Sequence, residues 1–457
     1  MVLEDAPLMS EKVTPFARSP FSPVHLGAPD CARVARLVED ELQKVLREYE
    51  IAGAPPTPRT FPKSRYKVVK SHDNCTAYLD RNSRNHKGSK KKTTSSNGSS
   101  GSPTVFDPYY TLADSSMISG SHSYSENDPD ECTSNWAMPD IVVSGTVPGT
   151  LDDVMYGMMT PDSAEMLLRT AYVDDNLLDG GVLQQLQLPT KTDPFRSVCV
   201  KWYVKGMPSS YKKLVSARDF VFVEATGMVT RQDGARLGYM LRHWLDLEGC
   251  GELKGLQRGR FSNCAIYTPL SNQTVDIFVR GTVDPGGKMA MSLAIPIAAS
   301  ALLSSSNAVF CSYNKKLVWL LGNKKRGDHT MPVERSNMFV CGMCAKKFGK
   351  LSSVGTCRIC CVQMCSRCRL NRSLAYVDMQ NHEHAGVEHF SGVFCKNCIA
   401  QANQTSAFDV AQDEILKGRY GSVTREKTNA RLDDQGGRLE QMQLGYVSSC
   451  VLPRDFT

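Results

Sequence analysis

The stretch LVSARDFVFVEATGMV, residues 214–229, decides how the chain folds. Its β-branched and aromatic residues run without a helical period and close on a glycine, which reads as a strand. Runs of the same kind stand around it: DIVVSGTVPGT (140–150), FRSVCVKWYVKG (195–206), GYMLRHWLDLEGC (238–250), SNCAIYTPL (262–270) and TVDIFVRGTV (274–283). Between the first two lies LDDVMYGMMTPDSAEMLLRTAYV (151–173), which reads as two helices broken at Pro161. Consecutive strands with helices before and after them predict an α+β domain over an antiparallel sheet.

Working outward, Asp30 offers an N-cap to a helix whose apolar stripe is Val34, Leu37, Val38, Leu42, Val45, Leu46 and Tyr49. Gly53 and Pro55-Pro56 end it. Residues 1–29 read as an extended leader. Residues 81–135 open on a basic run (Arg81, Arg84, Lys87, Lys90 to Lys92) and become Ser/Gly-rich, the composition of a disordered insert. Residues 289–311 contain no charged side chain, which raises a membrane span. Pro296 and the polar group Ser304 to Asn307 favour instead a buried helix packed on the sheet.

These elements, across residues 30–80 and 136–328, resemble a START-type lipid-binding domain of the helix-grip fold. The phrase Leu214-Val215-Ser216-Ala217-Arg218-Asp219-Phe220 is similar to the S-x-R-D strand of that family. The resemblance implies a final long helix closing a cavity against the sheet, a lipid tail inside, and Arg218 and Asp219 among the cavity residues. The plainer reading is that Arg218 and Asp219 form an internal ion pair and side chains fill the space.

The strongest chemistry is C-terminal. Cys341-x2-Cys344, Cys357-x2-Cys360, Cys365-x2-Cys368 and Cys395-x2-Cys398 supply eight thiols in four paired turns. Zinc takes four such ligands at tetrahedral corners, so the set predicts two Zn²⁺. The short gap between the second and third pairs favours interleaving, the first pair with the third and the second with the fourth. Cys361 falls outside the pairing, and with every corner filled by protein the sites read as structural. His382, His384 and His389 read as loop residues rather than a third site.

Residues 336–402 resemble a FYVE-type zinc finger in the order and spacing of the pairs and in Phe348 and Arg358. The resemblance implies a two-zinc cross-brace, docking on phosphatidylinositol 3-phosphate, and a cytoplasmic protein peripheral on endosomal membranes. The family's basic stretch before Cys-Arg is here Ser353-Val354-Gly355-Thr356, and the tryptophan-and-acid motif before the first pair is replaced by Glu334 to Phe339. Arg358 alone does not replace a cluster of four charge-assisted donors. Lys346, Lys347 and Lys350 remain to attract anionic lipid, and Leu351 to serve as an apolar tip. Residues 403–457 read as a mobile polar tail with one short helix near Val410–Leu416.

Composition narrows the function classes. The formal charge of +7 falls to +3 once eight thiolates around two dications are counted, a small excess that gives little reason to expect nucleic acid. Seventeen cysteines behind an N-terminus without an apolar core predict a reducing, intracellular setting. No GxSxG, GxxxxGK[ST] or HExxH motif is present, so no enzyme is expected. The sequence therefore predicts a non-enzymatic, lipid-associated adaptor with a lipid or membrane surface and proteins as partners. A second reading makes the finger a protein-interaction module, RING-like in ubiquitin transfer, although a histidine beside the third ligand pair is missing.

Overall fold

The computed structural model describes residues 19–55, 59–82, 139–173, 177–207, 216–231, 233–271, 273–287, 289–327, 340–349, 353–377 and 387–420, with backbone alone for 324–327. Nearly all of the Ser/Gly-rich insert lies outside these residues, as do Lys350, Leu351, His382 and His384.

Helix α1, Ala28–Gly53, carries Pro29 in its first turn, where a missing N–H leaves no bond unmade. It ends where Gly53 takes φ 105°. Val34, Val38, Leu42, Val45, Leu46 and Tyr49 of its stripe are buried as expected, and Leu37 is half-buried. There follow β1 (Tyr66–His72), β2 (Cys75–Asp80), β3 (Ile141–Pro148), α2 (Leu151–Met158) and α3 (Ser163–Tyr172). The break at Pro161 falls between the two helices, and the Asp162 carboxylate caps α3 by accepting from the Glu165 amide. Thr150 and Asp153 cap α2 reciprocally.

Seven more strands complete the sheet: β4 (Leu177–Gln187), β5 (Ser197–Lys205), β6 (Arg218–Thr230), β7 (Arg236–Trp244), the short β8 (Gln257–Arg258), β9 (Arg260–Ser271) and β10 (Thr274–Asp284). The order is β1-β2-β3-β10-β9-β7-β6-β5-β4, antiparallel throughout, with β8 parallel to β6. Register fixes what each face buries, because successive side chains point to opposite sides. The row Phe278, Ile266, Tyr239 faces α1. The next row, Val279, Ala265, Met240, faces away from it.

That second face is roofed by α4 (Met291–Leu303), then a 3-10 turn (Ser304–Asn307) and α5 (Ala308–Gly327). The run Met291–Asn323 is long and apolar enough to cross a membrane. In the fold, Ala294, Ala298, Ala299, Leu302 and Leu303 of α4 are buried, so the run is a core element. The architecture is the α+β helix-grip arrangement: an antiparallel sheet held between α1 and the closing helices. The sequence pattern misses β1, β2 and β4; in β4 Gly180-Gly181 and repeated glutamines blur it. A Cβ on Gly180 would stand 2.6 Å from Met166 and 2.8 Å from Tyr203, so packing dictates the glycine.

The cysteine-rich region adds two small hairpins: β11 (Gly355–Thr356) with β12 (Gln363–Met364), and β13 (Arg369–Val377) with β14 (Val387–Cys395). Helices α6 (Lys396–Gln404) and α7 (Ala407–Leu416) follow. The reading of everything after residue 402 as a mobile tail needs correction. Ala407, Val410, Ala411 and Tyr420 are buried in the same core as α2 and α4. The segment is short, and its docking combines these residues and the packing of Phe408 and Ile415 with charged partners that a hydrophobic pattern does not reveal. Nor is the finger a separate ball: Leu317, Leu320 and Leu321 of α5 share one cluster with Cys341, Cys357, Leu374 and Phe394.

Candidate functional site

A cavity of about 140 Å³ lies between α4 and strands β5, β6, β7, β9 and β10. It exists because α4 packs on β1, β2, β3 and β10 and spans the rest of the sheet without filling the space beneath. Tyr203, Phe220 and Phe261, whose rings pack on one another, form an aromatic wall. Met207, Met289 and Ala294 cluster at the end where α4 begins. Ser304 and Ser305 mark the end where α4 runs out.

The charged lining has one sign. Arg169, Lys205, Arg218 and Arg242 line the cavity, and no acidic side chain does, among the described residues. Arg242 is neutralised from behind: its Nε donates to Glu224 at 2.7 Å, and Glu224 also binds Lys201 and Thr160. Burial alone would raise the Glu224 carboxyl, but Lys201 and Arg242 hold it well below the usual carboxylate range. Arg218 donates to the carbonyls of Pro285 and Ser216, and desolvation pulls its pKa down.

The expected pair at 218–219 is therefore split. Adjacent strand residues point to opposite faces, so Arg218 lines the cavity while Asp219 does not. Asp219 binds Arg258 at 2.8 Å, and no Arg218–Asp219 ion pair forms. The plainer reading of that pair fails with it, as does the inclusion of Asp219 among cavity residues. Arg169 and Arg242, which line the inner end, carried no sequence signal beyond an arginine inside an apolar helix and another inside an apolar strand.

Glycines, a proline and a 3-10 turn interrupt the roof. Gly286 and Gly287 precede α4 at φ 63° and 60°, a region open to glycine. A Cβ on Gly286 would also meet the Arg258 carbonyl at 2.1 Å. Pro296 inside α4 removes one helical N–H, and the 3-10 turn separates α4 from α5.

The second candidate site is the cysteine region. The thiols of Cys341, Cys344, Cys365 and Cys368 gather in one group and those of Cys357, Cys360, Cys395 and Cys398 in another, all sulfurs of a group within 4.8 Å of one another. The pairs thus interleave, first with third and second with fourth. Cys344 and Cys365 sulfurs stand 3.9 Å apart, Cys360 and Cys395 sulfurs 3.7 Å. A tetrahedron with Zn–S bonds of 2.3 Å has edges of about 3.8 Å, so the donor set fits zinc. Amides aim at the sulfurs: Cys365 N–H at Cys341 (3.4 Å) and Cys395 N–H at Cys357 (3.3 Å). The Cys360 thiol and the amides of Cys360, Ile359 and Cys395 bring Cys357 down to about 4.

Each of the first two knuckles turns on a residue in left-handed backbone, Ala345 at φ 55° and Cys361 at φ 58°. Cys361 thus shapes a turn outside both thiol groups. No third cluster of metal-ligating side chains occurs among the described residues, and His389 sits exposed on β14 opposite Ala375. Lys346 and Lys347 are exposed at the first knuckle; Arg358 is exposed at the second, its amide donating to Val393. The head-group candidates therefore stand on loops of different thiol groups.

No family model matches the chain, and no curated protein does. Among solved structures the chain is similar to human StAR-related lipid transfer protein 5, at 13% identity and TM-score 0.38, over 61% of this chain and 96% of that one. It is similar to human STARD10 at 9% identity and TM-score 0.34, over 65% of this chain and 84% of that one. It is also similar to the human StarD13 (DLC2) lipid transfer and protein localization domain at 12% identity and TM-score 0.33, over 63% of this chain and 98% of that one.

Proposed function

We propose that this protein is a non-enzymatic, lipid-associated adaptor. The cavity holds an amphiphilic molecule, and a zinc-stabilised finger of FYVE-like spacing docks the loaded protein on a membrane surface or a protein. The observation that carries the reading is the unfilled, aromatic-walled space under α4, whose charged groups are of a single sign. Cores close-pack, so a retained cavity with converging polar groups favours a ligand over a scaffold. The space holds about five water-sized groups. A full acyl chain therefore enters as α4 swings on Gly286-Gly287.

Zinc at both thiol groups belongs to the same proposal. Bound there it would supply cohesion rather than catalysis, since all four corners are sulfur. The apparent binding energy of such a site is about 10–16 kcal/mol. Eight thiols kept for metal favour a reducing compartment, and we take the cytoplasm as the working assignment. Head-group selectivity for a 3-phosphate is not part of the proposal, because Arg358 alone does not replace a cluster of charge-assisted donors.

Native mass spectrometry of the full chain, purified from a eukaryotic host and then incubated with liposomes, tests this. The expected species carries two zinc ions and one lipid mass. Two zinc ions with no lipid after incubation would overturn the lipid-binding half, and absence of zinc would overturn the finger.

A further inference from the structure

The cavity's cations are not equivalent. Arg242 is neutralised by Glu224, Arg218 is spent on two peptide carbonyls, and Lys205 lies over the Tyr203 ring. Arg169 differs. It is 7% exposed, it lines the inner end of the cavity, and among the described residues its Nε has no hydrogen-bond partner. Its single polar contact among them is with the Met158 sulfur, 3.7 Å from the terminal nitrogen. The acidic residue one turn earlier in α3, Glu165, is committed to Lys315 and Arg419. A guanidinium is always charged and presents a fork of donors suited to carboxylate or phosphate. Burying one with no anion is costly enough that its retention needs a reason.

We infer that the cavity selects an anionic amphiphile, whose carboxylate or phosphate is held by Arg169 at the inner end with its chain running under α4 toward Met207 and Met289. This rests on the cavity reading and adds the charge of the ligand to it. Asn263 adds a side-chain amide to the cavity lining, while the Ser305 hydroxyl donates to the Leu302 carbonyl. The chain then lies along the aromatic wall.

The test compares probes that differ in charge and little else. Full-length protein is titrated with oleate against oleyl alcohol, and with oleoyl lysophosphatidate against monoolein. The wild type is expected to bind at least one anion roughly tenfold or more tightly than its neutral match, the worth of charge-assisted hydrogen bonds. Which of the two anions gains identifies the head group as carboxylate or phosphate. Arg169→Met is expected to abolish the preference while leaving binding of the alcohol or monoolein intact. Ligand-free Arg169→Met should melt no lower than the wild type, because it removes an unpaired buried charge; a clearly lower midpoint would make Arg169 a structural residue and overturn the inference. Arg169→Lys, which keeps the charge and loses the fork, should retain part of the preference. Equal binding of charged and neutral probes by the wild type would overturn the inference and leave the cavity reading standing. Binding of none of the four would overturn both.

Discussion

The Tyr172 hydroxyl closes on both backbone polar groups of one residue: it donates to the Ala375 carbonyl at 2.7 Å and accepts from the Ala375 amide at 2.8 Å. Tyr172 ends α3 beside the sheet, and Ala375 lies on β13 of the finger. One side chain thus satisfies a stretch of strand edge that would otherwise face α3 unpaired. Tyr172→Phe removes the hydroxyl and leaves an N–H and a C=O without a partner. The expected loss is about 1–3 kcal/mol, read from the urea midpoint of the full chain. A midpoint equal to the wild type would show that water replaces the hydroxyl and that the joint is open.

Because α5 lends Leu317, Leu320 and Leu321 to the finger's core, metal removal reaches beyond the finger. Chelation should expose amides of residues 340–404 and of the second half of α5 to hydrogen exchange, while β6, β7 and β9 stay protected. Lys316, fully buried, donates to Asp153 in α2 and to the carbonyls of Asn403 and Thr405, so α7 should loosen as well. Exchange confined to the finger would mean that α5 holds its own packing without it.

Much of this was legible in the chain because it is written locally. The α1 stripe, the break at Pro161 and the strands of the middle region follow from period and from Gly and Pro, and the pairing of Cys-x2-Cys turns follows from spacing. The sheet order was not, since register between β3 and β10 joins residues more than 125 apart. The β13–β14 hairpin hid in the gap between the third and fourth pairs. Arg169 and the docking of residues 403–420 were illegible for another reason. Both depend on which charged side chains meet in the interior, and a lone arginine in an amphipathic helix looks the same whether it reaches water or a cavity.

Asp162 gives a pH signature. Burial, with Glu165 adding to it, pushes its carboxyl from 3.8 up to about 6. The folded state therefore favours the protonated form. Stability from this group is fully present below about pH 4, and is lost as pH rises through about 6. Asp162→Asn keeps an equally good N-cap and cannot ionise. At pH 7 it should be more stable than the wild type by about 3 kcal/mol, with the difference vanishing near pH 4. Urea midpoints across that range check it, and a constant difference would contradict the assigned cause.

Arg419 fixes the last described residues to the domain. It donates to Glu165 at 2.5 Å and to Glu414 at 2.6 Å, and Glu414 also accepts from the hydroxyls of Tyr156 and Tyr420. Lys315 completes the cluster, 2.9 Å from Glu165. Burial would raise the Glu165 carboxyl, but Arg419 and Lys315 hold it below its ordinary value. Its contribution is therefore present above the usual carboxylate range and lost as pH falls below it. Arg419→Met leaves Glu165 with Lys315 alone and Glu414 with only the two tyrosine hydroxyls, and breaking such a cluster from one side costs about 3–5 kcal/mol. The variant should release residues 405–420 to protease at neutral pH while the sheet stays intact. The double variant Arg419→Met with Glu414→Gln should recover part of the loss, because it removes the charge left unpaired. A double variant no better than the single one would show that α7 is held by Val410 and Ala411 and that the charges are incidental.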